Sequence, residues 1–191
     1  MRMNWESSFD ETKQAHAGTL LLAHPTLLDP NFHRTVILLS AHSPEEGSIG
    51  VVVNRPTGQC LGQYDAALAD SPLADVPLFA GGPVAPSELI LSAWKWDEAH
   101  GMFKLFFGID GTKALELVAE DPEFQLCGFL GHAGWGKGQL DAELAQGAWL
   151  TSGRLPALQS KPGEIDWYHL LCEERPELRL LADAPADPSL N

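Results

Sequence analysis

Residues 34–58 read "RTVILLSAHSPEEGSIGVVVNRPTG". Two apolar runs, Val36–Leu39 and Ile49–Val53, are rich in β-branched residues and flank the polar, turn-prone "HSPEEGS". Runs this short, joined by a Gly-containing loop of this length, pair as an antiparallel hairpin.

Outward from the hairpin, "GTLLLAHPTLLDPNF" (18–32) supplies an apolar strand, Thr19–Ala23, stopped by Pro25; Pro56 closes the third strand. Residues 60–70, "CLGQYDAALAD", have helical spacing, with Leu61, Tyr64 and Leu68 on one face. "VPLFAGGPV" (76–84) is a brief strand entering a Gly-Gly-Pro turn. "ELILSAW" (88–94) and "MFKLFFGI" (102–109) are further strands, linked by a connection carrying Trp94, Trp96 and His100. Asp110 is placed to N-cap "GTKALELVAE", its carboxylate accepting from first-turn amides. "FQLCGFL" (124–130) is a strand, and "QLDAELAQGAWL" (139–150) reads as a helix with Leu140, Leu144 and Trp149 along one side. A last helix spans Glu164–Glu174 with Ile165, Tyr168, Leu171 and Cys172. The mix predicts a single α+β domain over 18–181 with a mixed, largely antiparallel sheet. Residues 1–17 read as a surface segment that Trp5 and Phe9 dock on the body, and 182–191 as a frayed acidic tail.

Composition narrows the function. A 191-residue chain that is 45% apolar and 20% charged is globular in type and holds a full core. No run of eighteen apolar residues and no signal-peptide core are found, so the expected location is the cytoplasm, with no membrane partner. Net charge is −14, which repels a phosphate backbone, and no basic cluster interrupts it. Direct nucleic-acid binding is therefore not expected. Cys60, Cys127 and Cys172 are odd in number and widely spaced, against both a disulfide framework and a thiolate zinc site. Cys127 reads as a buried small hydrophobe.

"GHAGWGKG" (131–138) comes within one residue of the phosphate-cradling G-x-x-x-x-G-K-[ST]. Gly138 stands where a hydroxyl must meet Mg²⁺, and Trp135 is bulky inside a loop that should wrap an anion. The expectation is a sharp structural turn that folds Trp135 back onto the sheet or helix, with a weak anion site at the helix start as the second reading. No His pairing has metal-ligand spacing and no serine nucleophile elbow occurs, so neither metal, cofactor nor catalytic residue is assigned. "DPNFHRTV" and "VVVNRPTG" place Arg34 and Arg55 where strand meets loop, a common location for site residues. The structural reading of each is a pairing with a carboxylate such as Asp29, with Asn54 bonding its own turn.

Taken in order, "GTLLLAHPTLLDPNFHRTVILL", "GSIGVVVNRP", "LFAGGPV" and "GHAGWGKGQLDAELAQGAWL" resemble the AlgH/YqgE family of bacterial proteins, from about Gly18 to Thr151. The resemblance implies a strongly twisted or split sheet partly closed as a barrel with flanking helices. It carries a label of transcriptional regulator but no established reaction. Motif residues that carry over are Asp29, Pro30, Phe32, Arg34 and Thr35; Asn54, Arg55 and Pro56; Gly81, Gly82 and Pro83; and Gly134, Trp135, Gly136, Gln139 and Leu140. The chain departs from the family pattern at His132, usually aromatic, and at Lys137, often Pro or small. The expected role is a binding or regulatory domain, with the Arg34, Asn54–Arg55, Gly81–Pro83 and Trp135 loops meeting around a shallow polar site floored by tryptophan. Its occupant would be a protein partner or a small anionic ligand. The alternatives are an enzyme on a small phosphorylated or carboxylated substrate, with Arg34, Arg55 or Lys137 as anion clamp and Asp29 or His33 as acid–base group, and a DNA-associated regulator.

Overall fold

A computed structural model describes residues 15–153, 158 and 165–184. The docking of Trp5 and Phe9 and the tail beyond 184 lie outside the described residues. Among the described residues nine strands run in the order β1 (Leu20–Ala23), β2 (Val36–Ser43), β3 (Gly47–Val52), β4 (Pro56–Cys60), β5 (Pro77–Ala80), β6 (Val84–Asp97), β7 (Met102–Phe107), β8 (Gln125–Trp135) and β9 (Trp149–Ser152). Five described α-helices join them: α1 (Leu61–Tyr64), α2 (Gly111–Glu120), α3 (Gln139–Ala145), α4 (Trp167–Glu174) and α5 (Arg179–Asp183).

The expected hairpin is present, pairing Ile37 with Val52 and Leu38 with Val51. β1 lies antiparallel between β2 and β9. All sheet contacts are antiparallel except β5 against β8. The result is the mixed, largely antiparallel sheet of a single α+β domain, curled into a half-barrel.

The apolar runs are continuous because β1–β3 are buried on both faces. Leu20, Leu22, Val36, Leu38, Val51 and Val53 point into one core, which also holds Phe79, Trp94, Cys127 and Phe129 and is capped by Trp167, Leu170 and Leu171 of α4. The alternate residues Leu21, Ala23, Ile37, Leu39 and Val52 point to a second core under Trp135, Leu140 and Trp149. A third cluster joins Leu61 and Ala114 of the helices to Leu78 and Leu91. Burying each such Leu or Ile contributes about 1.5–3 kcal/mol.

β8 holds the sheet together. Its first half pairs with β6 on one side (Leu89↔Leu130 to Trp94↔Gln125) and with β5 on the other (Leu78↔Gly128 to Ala80↔Leu130). Beyond Gly131 it pairs with β3, from Gly50↔Ala133 to Ser48↔Trp135. The hand-over from β5 to β3 is the point at which the sheet splits.

Several elements differ from the sequence expectation. Trp94 and Trp96 are not in a connection: β6 runs on to Asp97, and they pair with Leu105 and Phe103 of β7. Pro56 does not close the third strand, which stops at Val52, but opens another, β4, where its missing N–H costs nothing at the first position of an edge strand. Residues 60–70 form one turn of α-helix followed by a 3-10 turn at Ala66–Leu68, because Asp65 caps the second by accepting from the Ala67 amide at 3.0 Å. Trp149 belongs to β9, not to α3, which stops at Ala145 ahead of Gly147 (φ 73°). Asp110 caps α2 as expected, accepting from the Lys113 amide at 2.8 Å.

Candidate functional site

The segment 29–35 is held by its own backbone and by Arg55. The Asp29 carboxylate accepts from the Asn31 amide at 2.8 Å, and the Asp29 carbonyl accepts from the amides of Phe32 (2.9 Å) and His33 (2.7 Å). Buried Thr35 donates its hydroxyl back to the Phe32 carbonyl at 2.8 Å. Between them Arg34 takes a left-handed conformation, φ 56°, which few residues with a side chain adopt. The Arg55 guanidinium donates to the carbonyls of Asn31 (2.7 Å), Pro30 (3.3 Å) and His33 (3.1 Å). Asn54 acts as a substitute peptide unit beside β2, accepting from the Val36 amide at 2.9 Å and donating to the Arg34 carbonyl at 3.0 Å.

The Gly81–Pro83 segment continues this chain of contacts. The Ala80 amide donates to the Arg55 carbonyl at 2.9 Å, the Gly81 amide to the Leu130 carbonyl at 2.8 Å, and the Val52 amide to the Gly81 carbonyl at 2.9 Å. Gly82 (φ 152°) lies with its Cα against the backbone of His132, where a Cβ would collide. Pro83 is exposed beside it.

The "GHAGWGKG" segment corrects the expected turn over 131–138. Gly131–Trp135 is strand, with Ala133 and Trp135 alternating inward and Gly134 outward; only Gly136–Gly138 turns. Lys137 forms an ion pair with Glu45 of the β2–β3 hairpin. The Gly136 amide is taken by the Gln139 side chain at 3.0 Å. Trp135 folds back as expected, onto the second core. It is 6% exposed and meets Trp149 edge-on at 5.9 Å, and Trp149 in turn meets Phe32 at 5.6 Å. The Trp135 ring is thus core, and the surface above it is glycine and Lys137 rather than an open indole floor.

Glu143 organises this end of the molecule and was not singled out by the sequence. Its carboxylate accepts from the indoles of Trp135 (2.9 Å) and Trp149 (2.7 Å) and from the Gln139 amide (2.9 Å). The available signal was its spacing of four from Gln139, which puts both on one face of α3.

The four motif segments therefore form one contiguous set, joined mainly through backbone contacts. The expected carboxylate partners of the arginines are replaced by carbonyls. Among the described residues no carboxylate lies within 4.0 Å of Arg34 or Arg55. Arg34 is exposed, stands over the Trp167 ring at 5.4 Å and donates to the Ala182 carbonyl at 2.9 Å. His33 is engaged with the Leu27 carbonyl at 3.2 Å.

Away from this set, a cleft of about 620 Å³ runs beside Lys95, Asp97 and Glu123. Lys95 pairs with Asp121, which raises its pKa and lowers that of Asp121. Lys104 and His100, each 3.0 Å from Asp97, hold its carboxyl well below the usual carboxylate range. Burial pushes the Cys127 thiol far up. Among the described residues no three His, Cys, Asp or Glu side chains converge as a metal site. No described helix is long and apolar enough to cross a membrane.

A half-barrel α+β domain whose motif segments lock onto one another, leaving two guanidiniums without carboxylates, defines the class. The chain belongs to the AlgH-like family, whose model matches residues 20–176. It is 38% identical to a UPF0301 protein of Streptomyces avermitilis, over 91% of this chain and 94% of that one. It is 35% identical to a UPF0301 protein of Chlorobium luteolum, over 96% and 98%. The solution structure of the AlgH protein from Pseudomonas aeruginosa is similar, with TM-score 0.59 and 26% identity over 94% of this chain and 98% of that one. A crystal structure from Corynebacterium diphtheriae shares the fold at TM-score 0.67 and 24% identity, over 90% and 93%.

Proposed function

We propose that this is a non-catalytic binding or regulatory domain that receives an anionic group, of a small ligand or of a protein partner, at Arg34 and the adjoining Arg55 loop. The observation that carries this reading is the charge imbalance there. A chain of net charge −14 keeps two guanidiniums on neighbouring segments with carbonyls and the Trp167 ring, and no described carboxylate, as partners. Arg34 spends one hydrogen bond on the Ala182 carbonyl, so its remaining N–H groups are available to a carboxylate or phosphate in the bidentate geometry arginine favours. Arg55 fixes the loop that presents it. Asp29 and His33, the acid–base pair of the enzyme alternative, are committed to the Asn31 amide and the Leu27 carbonyl, which favours binding over turnover. A regulatory role through direct duplex contact is disfavoured by the overall charge.

Thermal denaturation with phosphate and with small phosphorylated or carboxylated metabolites tests the ligand form. At a hundred times Kd a bound anion adds about 2.7 kcal/mol, about 5–10 °C in Tm at this length. The shift should vanish in Arg34→Ala. A shift that survives this substitution overturns the site. A flat response to the whole panel overturns the ligand form and leaves an acidic protein surface to be tested by the same variant.

A further inference from the structure

Near the tip of the β2–β3 hairpin a serine, a histidine and an aspartate stand in line. His42 and Ser48 are paired directly across the hairpin, and His42 Nδ1 lies 2.7 Å from Ser48 Oγ. On the far side of the ring, Nε2 lies 3.6 Å from Asp141 Oδ1 of α3. The His42 side chain is 8% exposed and that of Asp141 46% exposed, while Ser48 is half-buried. Two strands and a helix contribute one residue each, so no local motif announces the set.

A β-bulge brings them together. Leu39 pairs with Gly50 but Ala41 pairs with Ile49, so Ser40 is an extra residue in β2. Strict alternation would put His42 on the face of Val36 and Leu38, toward the first core. The extra residue turns it instead to the face of Ser48, Gly50 and Val52, which α3 covers over the second core. Bulges of this kind re-aim side chains beside active sites. On its other side Ser48 pairs with Trp135 of β8, whose indole N–H is taken by Glu143 and does not compete for the hydroxyl. At Gly136, next along the chain, a notional Cβ would meet only Gln139 Oε1 among the described residues, at 3.9 Å, which leaves room on that side.

We infer that Ser48 is a nucleophile that takes an acyl group from an activated ester, with His42 as its general base and Asp141 as the residue that positions the ring. A carboxylate beside Nε2 favours the neutral tautomer with its proton there, which leaves the Nδ1 lone pair facing the Ser48 hydroxyl. A base hydrogen-bonded to a hydroxyl and oriented by a third group is the arrangement that activates serine. The two ring nitrogens exchange the places they hold in the protease triad. Ser48 Oγ bonds to the acyl carbon as its proton passes to Nδ1. The C–O bond to the leaving alcohol then breaks and the alcohol departs with that proton, leaving an ester on Ser48 and a neutral His42. The set lies on the face of β2 and β3 opposite Trp167, the ring that Arg34 covers. It thus adds a covalent acceptor to the domain, independent of the anion site.

Intact-mass analysis of the full chain after p-nitrophenyl acetate, and separately after a fluorophosphonate probe, tests the assignment, with peptide mapping to place each adduct. One group per chain is expected, on Ser48, and none in Ser48→Ala. His42→Gln should slow labelling about 100-fold or more. Asp141→Asn should slow it about tenfold, less than in a buried triad because water screens Asp141, and Asp141→Glu should recover part of the loss. Thermal unfolding of each variant separates lost chemistry from a lost fold. A native chain that carries neither adduct on Ser48 overturns the inference, as does undiminished labelling in a folded His42→Gln. Labelling of Asp141→Asn at the native rate overturns the role given to Asp141.

Discussion

The indole N–H groups of Trp135 and Trp149, rings crossed at 82°, converge on a single oxygen, Oε2 of Glu143. One carboxylate on α3 thereby ties the end of β8 to the start of β9. Replacing Glu143 with Ala strands both donors in a half-buried setting and should cost about 2–4 kcal/mol in urea denaturation. Glu143→Gln keeps an acceptor and should cost less than half as much. Equal losses in the two variants would show that packing, not the shared acceptor, holds the tryptophans.

Arg55 is expected to behave as a backbone clamp. Arg55→Ala frees the carbonyls of Pro30, Asn31 and His33 and should destabilise the fold by about 1–3 kcal/mol, with faster amide exchange at 31–33. Arg55→Lys should recover little of this, since an ammonium cannot span three carbonyls as a planar fork does. Full recovery with lysine would mean that charge alone is what the loop needs.

Two glycines with positive φ separate strain from collision. Gly58 (φ 77°) has open space around a notional Cβ, so Gly58→Ala should cost about 1–2 kcal/mol. Gly82→Ala adds a clash with the His132 backbone and should exceed about 4 kcal/mol or prevent folding. Similar midpoints for the two variants would contradict the close crossing of the 81–83 and 131–132 backbones.

The Asp97 contacts predict a pH signature. Its carboxyl is held low when folded, by Lys104 first and then His100, so protons bind the unfolded chain more readily. That stabilisation is complete above the ordinary carboxylate pKa near 4 and is lost as pH falls below it. Urea midpoints of Asp97→Asn should therefore fall short of the native chain at pH 6 and converge with it toward pH 2. A gap that stays constant with pH would remove the ion pairs from the account.

Cys127 should label with thiol reagents only as fast as the chain unfolds, being fully buried with its thiol held protonated. Cys60 and Cys172, both half-buried, should react first. Rapid loss of all three thiols in the native state would contradict the packing of the first core.

Much of the fold was legible because the sequence pattern and the burial coincide. The runs at 20–23, 36–39 and 49–53 are apolar throughout, as strands covered on both faces must be, and Asp110 announces its helix by chemistry alone. The longer β6 was cut short because Lys95 and Asp97 alternate with tryptophans at its outer end, which reads as a connection when the ion pairs that satisfy those charges are unseen. "GHAGWGKG" reads as a turn throughout because its four glycines suggest freedom, whereas Gly131 is there for close approach to the backbone of 82–86. At the candidate site the residues were legible and their partners were not. Arg34, Asn54 and Arg55 all bind main-chain atoms, and a carbonyl leaves no trace in residue identity. Glu143 was missed for the opposite reason, since a lone glutamate on a short helix looks like surface until two indoles are brought to it by separate strands.

The position of β8 in the sheet also bears on synthesis. Translation delivers β1–β3, β4–β5 and β6–β7 first, as three separate ladders with no strand between them. Until residues 125–135 have left the ribosome, Leu78 and Phe79 on one side and Gly50 on the other have no edge to pair with. The nascent chain then carries three incomplete ladders with exposed edges, a state prone to association. Closing them depends on contacts between residues more than eighty apart in sequence, as in Gly50↔Ala133, so folding should be slow for a chain of this size.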